Sequence, residues 1–150
     1  MRSWVAGKIA LYMCFLGKRE IKKRSPGSVV EIEWEIVDEK RRFSRMFVAL
    51  KPCIDGFLQG CRPYLGIDST ILTAKWKGQL ASAVGIDGHN WMFPVAYGVF
   101  GSETKENWEW FMKMLHKAIG SPNGLVISTD AGMLHSLCSC FSIECCMFPT

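Results

Sequence analysis

Apolar and polar positions change their period several times along this chain, and each change marks an element. Residues 4–16 are apolar with spacing compatible with a helix, and the basic stretch after them runs into Ser25-Pro26-Gly27-Ser28, a strong turn signal. From Val29 to Val37 the chain alternates: Val30, Ile32, Trp34 and Ile36 stand against Glu31, Glu33 and Glu35, the period-2 pattern of a half-buried strand. Arg41 to Leu50 offers a second strand, with Phe43, Met46, Phe47, Val48 and Leu50 as its apolar content and a charged turn, Asp38 to Arg42, joining the two.

Lys51 to Pro63 contains Pro52, Gly56, Gly60 and Pro63, which predicts a connector with one short helical turn around Phe57 and Leu58. Three strands then follow in succession: Tyr64 to Thr70, Gln79 to Ile86 and Trp91 to Phe100. Asp87-Gly88-His89-Asn90 has hairpin-turn chemistry, so the three are expected to form an antiparallel meander.

The helix after them is signalled at every level. Ser102 or Thr104 can cap it, Glu103, Glu106 and Glu109 sit near its positive end, and Lys113, His116 and Lys117 near its negative end. Trp108, Phe111, Met112, Leu115 and Ile119 make one apolar face, and Gly120 and Pro122 stop the helix. Leu125 to Ser128 is then a short buried strand that delivers Asp130 just past its end.

This order gives an α/β fold: three antiparallel strands, a helix, and a fourth strand expected to lie parallel beside the first through a right-handed crossover. Asp68 and Asp130 would then sit together at the carboxyl ends of two adjacent strands. Two converging carboxylates repel unless a cation neutralises them, and Mg²⁺ is typically held by one or two carboxylates together with water and phosphate oxygens. A third carboxylate usually completes a two-metal phosphoryl-transfer centre.

Composition narrows the class. The chain has 150 residues with 49% hydrophobic and 21% charged, which excludes a chain disordered throughout and fits one domain. Residues 1–51 hold 12 of the 18 Lys and Arg but 6 of the 14 acids, so this segment carries +6 and the remainder −2. Clusters at Lys18, Arg19, Lys22, Lys23 and Arg24 and at Lys40, Arg41, Arg42 and Arg45 could meet a phosphate backbone or form a solvated face. Lys75, Trp76 and Lys77, just after the first acidic strand, form a second place where a nucleic acid could pass, although packing is the stronger reading for Trp76.

Other residues have simpler readings. The 7 cysteines are odd in number and lack paired C-x-x-C spacing, which suggests a reducing compartment, and Cys138, Cys140, Cys145 and Cys146 read as a thiol-rich tail rather than a zinc site. His89 reads as a turn histidine and His116 as a helix C-terminal partner, while His135 lies in the tail. No apolar stretch approaches the roughly 20 residues that span a bilayer, so no membrane partner is expected.

Several dense runs closely resemble the transposase core of plant Mutator-like elements (MULE). They are Gly60-Cys61-Arg62-Pro63-Tyr64-Leu65-Gly66-Ile67-Asp68-Ser69-Thr70-Ile71-Leu72-Thr73, Lys75-Trp76-Lys77-Gly78-Gln79-Leu80 and Gly85-Ile86-Asp87-Gly88-His89-Asn90-Trp91. Pro94-Val95-Ala96-Tyr97-Gly98-Val99-Phe100, the Glu106-Asn107-Trp108 helix start and Ile127-Ser128-Thr129-Asp130-Ala131-Gly132 continue the series in the family's order. The resemblance implies a ribonuclease H-like fold and a DDE-type centre that cuts and joins DNA with Mg²⁺ or Mn²⁺. Asp68 corresponds to its first catalytic and metal-binding aspartate and Asp130 to its second. It further implies the DNA ends of the element as partner, a possible homo-oligomer, and the nucleus as place of action.

The chain departs from the family after Gly132, where Met133 stands in place of an expected basic residue. The family's third acid, a glutamate, lies well downstream of the second aspartate; Glu144 follows Asp130 by only 14 residues and is not assigned that place. The organisation expected is therefore a basic N-terminal segment (1–24), a partial transposase core (25–132) and an irregular Cys- and Ser-rich tail (133–150). Such a fragment would be inactive alone. The alternative is a non-catalytic DNA-binding or regulatory protein, since these transposases resemble the far-red-response transcription factors of plants. A decayed element without a selected function is the third reading.

Overall fold

The computed structural model describes residues 17–73 and 77–129. Helical residues 17–24 (α1) lead through the predicted turn into β1 (Val29–Val37) and β2 (Lys40–Ala49). Then come α2 (Lys51–Gly60), β3 (Cys61–Leu72), β4 (Gly78–Asp87), β5 (Met92–Phe100), α3 (Lys105–Ile119) and β6 (Val126–Thr129). Among the described residues the strands form one open sheet in the order β1-β2-β5-β4-β3-β6, antiparallel throughout except where β6 runs parallel to β3. The predicted meander and the parallel neighbour of its first strand are both present.

The segment expected to be a connector is a helix of 10 residues, α2. Its breakers do not break it, for local reasons. Pro52 occupies the first turn, where its missing N–H is not needed. Gly56 lies so close to Phe93 that a Cβ there would stand 2.6 Å from the ring's Cζ, so a small residue is what lets the helix settle on the sheet. Ile54 and Phe57, three positions apart, are buried. The first backbone N–H, that of Lys51, donates to Ser28 Oγ at 2.9 Å, a cap supplied from before β1. Pro63 falls within the irregular stretch of β3 between Cys61 and Leu65, where pairing with β4 shifts register.

The three helices described lie on one face of the sheet. Lys18 of α1 and Lys117 of α3 both reach Glu31, and Trp110 Nε1 of α3 donates to Glu33 Oε1 at 2.6 Å. Between this helical layer and the strands is the core: Phe47, Leu65, Phe100, Phe111 and Leu115 are fully buried. Phe111 stacks edge-on against Phe47 and Trp108, with centroids 5.5 and 5.8 Å apart. Each such ring contributes about 1.5–3 kcal/mol by leaving water.

The β1–β2 turn is tighter than expected. Asp38 and Glu39 both adopt left-handed backbone (φ 50° and 59°), and β2 resumes at Lys40.

Candidate functional site

Asp68 lies seven residues into β3, between buried Ile67 and half-buried Ser69, and is itself exposed. Strand alternation explains this: Leu65 and Ile67 face the helical layer, and Asp68 faces the other side. Its Oδ1 accepts a hydrogen bond of 2.7 Å from the backbone N–H of Ser69. Across the sheet Asp68 is opposite Ser82 on β4, which is opposite Tyr97 on β5.

The other neighbour of β3 is β6, and its register bears on the second aspartate. Tyr64 pairs with Val126, Leu65 with Ile127, Gly66 with Ser128 and Ile67 with Thr129. Thr129 is the residue before Asp130, as Ile67 is the residue before Asp68. Asp130 itself lies outside the described residues, as do Lys75 and Trp76, residues 1–16 and the tail. Lys77 is described and exposed; it precedes Gly78, which pairs with Leu72, so it stands at the same sheet edge toward which Asp68 lies.

One residue at this edge was noted in the sequence only as a helix-end charge. Ser69 Oγ donates to Glu103 Oε1, joining the strand that carries Asp68 to the loop before α3. That loop is fixed by Thr104, whose Oγ1 accepts from the Asn107 N–H at 3.3 Å, and by Asn107 Nδ2, which donates to the Ser102 carbonyl at 2.9 Å. Of the two caps left open by the sequence, Thr104 is the one used. No local pattern announces a contact between residues 34 positions apart.

The two described histidines, His89 and His116, stay away from this edge. His89 is in the turn at the far end of β4, where Asp87 Oδ1 accepts from the backbone N–H groups of His89 (2.8 Å) and Trp91 (2.9 Å). The Trp91 bond foremost, against a desolvation cost, holds the Asp87 carboxyl below its ordinary range, with His89 and Arg62 adding to the effect. His116 Nε2 is 2.9 Å from Ser121 Oγ just past α3. Burial, and after it Asp87, pushes the Cys61 thiol up from its ordinary range. Among the described residues no group of three or more His, Cys, Asp or Glu side chains could hold a metal ion. No helix described is long and apolar enough to cross a membrane.

An open mixed sheet with an antiparallel meander, a parallel strand beside its first member and an exposed aspartate on that first strand defines an α/β protein. The family model of the MULE transposase domain matches residues 64–148, more than half of the chain, and the chain belongs to that family. The match begins within β3, takes in Asp68 and Asp130, and runs past Gly132. No curated protein and no solved structure matches the chain at a significant level.

Proposed function

We propose that this chain is the part of a Mutator-like DNA transposase that supplies the first two acids of a DDE-type centre, Asp68 and Asp130, within a ribonuclease H-like sheet. The observation that carries the reading is the parallel register of β6 on β3, with Ile67 opposite Thr129, because the residue that follows each of them in the sequence is an aspartate. The strand order β5-β4-β3-β6 and the family match support it.

The donor chemistry fits a hard divalent ion. Asp68 offers a carboxylate at a solvent-facing position, and Mg²⁺ or Mn²⁺ accepts one or two carboxylates while keeping sites for water and phosphate oxygens. Such an ion, when bound, activates a water or 3′ hydroxyl and stabilises the leaving oxygen of a phosphodiester. The chain's own part is to fix the carboxylates: the Ser69 N–H orients Asp68, and the Ser69–Glu103 bond ties that strand position to the start of α3. DNA as partner and a nuclear site of action accompany this reading.

Titration of the chain with Mn²⁺, followed by electron paramagnetic resonance, tests it. Asp68→Asn and Asp130→Asn should each weaken binding tenfold or more while the circular dichroism spectrum is unchanged. Affinity indifferent to both substitutions would remove the aspartates from the site and favour the non-catalytic reading.

A further inference from the structure

Asp68 lies where β3 loses a neighbour. β6 pairs with β3 from Tyr64 to Ile67 and, among the described residues, no farther, while β3 continues to Leu72. From Asp68 onward β3 is therefore held by β4 alone, with Asp68 opposite Ser82 and Ser69 opposite Ala81. A strand bordered on one side has backbone groups without ladder partners on the other, and such a stretch opens more readily than one paired on both sides.

Ser69 closes this gap with two donors. Its backbone N–H donates to Asp68 Oδ1 at 2.7 Å, and its hydroxyl donates to Glu103 Oε1. Alternation puts Ser69 on the helical face with Leu65 and Ile67, and Asp68 on the opposite face. The serine thus links an acid on one side of the sheet to an acid on the other.

Glu103 has a firm base from which to hold it. It precedes the cap Thr104, where the positive end of the 15-residue helix α3 favours a carboxylate. The Asn107 N–H donates to Thr104 Oγ1 and Asn107 Nδ2 to the Ser102 carbonyl, so the loop is bonded on both sides of Glu103. Beyond the loop, α3 is seated on the sheet by Trp108, Phe111 and Leu115, all buried.

We propose that Glu103 is a positioning residue for Asp68: it fixes Ser69 through the hydroxyl, and Ser69 holds the Asp68 carboxylate in one orientation through the N–H. What the position supplies is a hydrogen-bond acceptor anchored to α3, standing in for the strand that β3 lacks beside Asp68. The role rests on the reading of Asp68 as a metal-binding acid.

The test is Mn²⁺ titration of the full chain by electron paramagnetic resonance, joined to exchange of the Ser69 amide proton measured by NMR without metal. Glu103→Ala and Ser69→Ala should each weaken Mn²⁺ binding by about threefold to tenfold, the scale of one hydrogen bond. The double variant should bind no more weakly than the weaker single variant, because both substitutions cut the same link. Glu103→Gln, whose side-chain carbonyl still accepts from the hydroxyl, should recover most of the affinity. The Ser69 amide should exchange faster in Glu103→Ala and slow again in Glu103→Gln. Equal losses of Mn²⁺ affinity in Glu103→Gln and Glu103→Ala would make the Glu103 charge itself the active feature, and unchanged affinity and exchange in Glu103→Ala would leave it a surface acid; either result overturns the proposal. If Asp68→Asn binds Mn²⁺ as the parent does, the metal reading and this role fall together, whereas a loss in Asp68→Asn with none in Glu103→Ala overturns this role alone.

Discussion

A Cβ at Gly98 would stand 2.5 Å from Phe111 Cδ2, closer than such atoms come in folded proteins. Phe111 is fully buried and touches the rings of Phe47 and Trp108, so it has little room to yield. Gly98→Ala is therefore expected to cost about 1–3 kcal/mol through overpacking, and Phe111→Ala about 3–5 kcal/mol through the cavity it leaves. Urea unfolding of both single variants and of the pair should show strong non-additivity, since the smaller side chain relieves the clash that the alanine creates. Simple addition of the two losses would mean that the glycine is not there for the ring.

At the scale of elements, α3 joins the core to the strand that carries Asp68. Its cap, Thr104, accepts from Asn107 N–H, and Thr104→Ala should cost about 1 kcal/mol. If the loop also holds Glu103 against Ser69, the same substitution should weaken Mn²⁺ binding at Asp68. The opposite end of α3 is tied through Glu31, which accepts from Lys18 at 2.7 Å and lies 3.5 Å from Lys117. The Lys18 bond, against the cost of partial burial, holds the Glu31 carboxyl below its ordinary range. A carboxyl lowered on folding contributes stability that is present above its unfolded value and is lost as pH falls through the lowered one. Acid should therefore loosen α1 and α3 from β1, and Glu31→Gln should flatten the fall of the melting temperature in that range. A fall as steep in the variant as in the parent would assign the acid sensitivity to other groups.

For the molecule as a whole, the elements with a clean period were legible in the sequence. β1 and α3 could be read because alternate residues, or residues three and four apart, see different surroundings in any fold that buries one face. α2 could not, because Pro52, Gly56 and Gly60 have the composition of a loop, and only Phe93 packed over Gly56 gives the glycine its helical use. Asp68 was legible as an acid within motifs of its family, but not its place along the strand, since β3 continues past it to Leu72. Glu103 was not, since its contact with Ser69 arises only once α3 has folded back over the sheet.

By itself, then, the sequence determined the order and type of most elements, the apolar face of α3, the family, and which residues are candidates for chemistry. Those properties are local: they depend on a side chain, its neighbours and their period. The tertiary structure decided the parallel register of β6 on β3 and the joining of Ser69 to Glu103. Each is a pairing between segments far apart in the chain, and which partners meet depends on how all the strands and helices together bury the core.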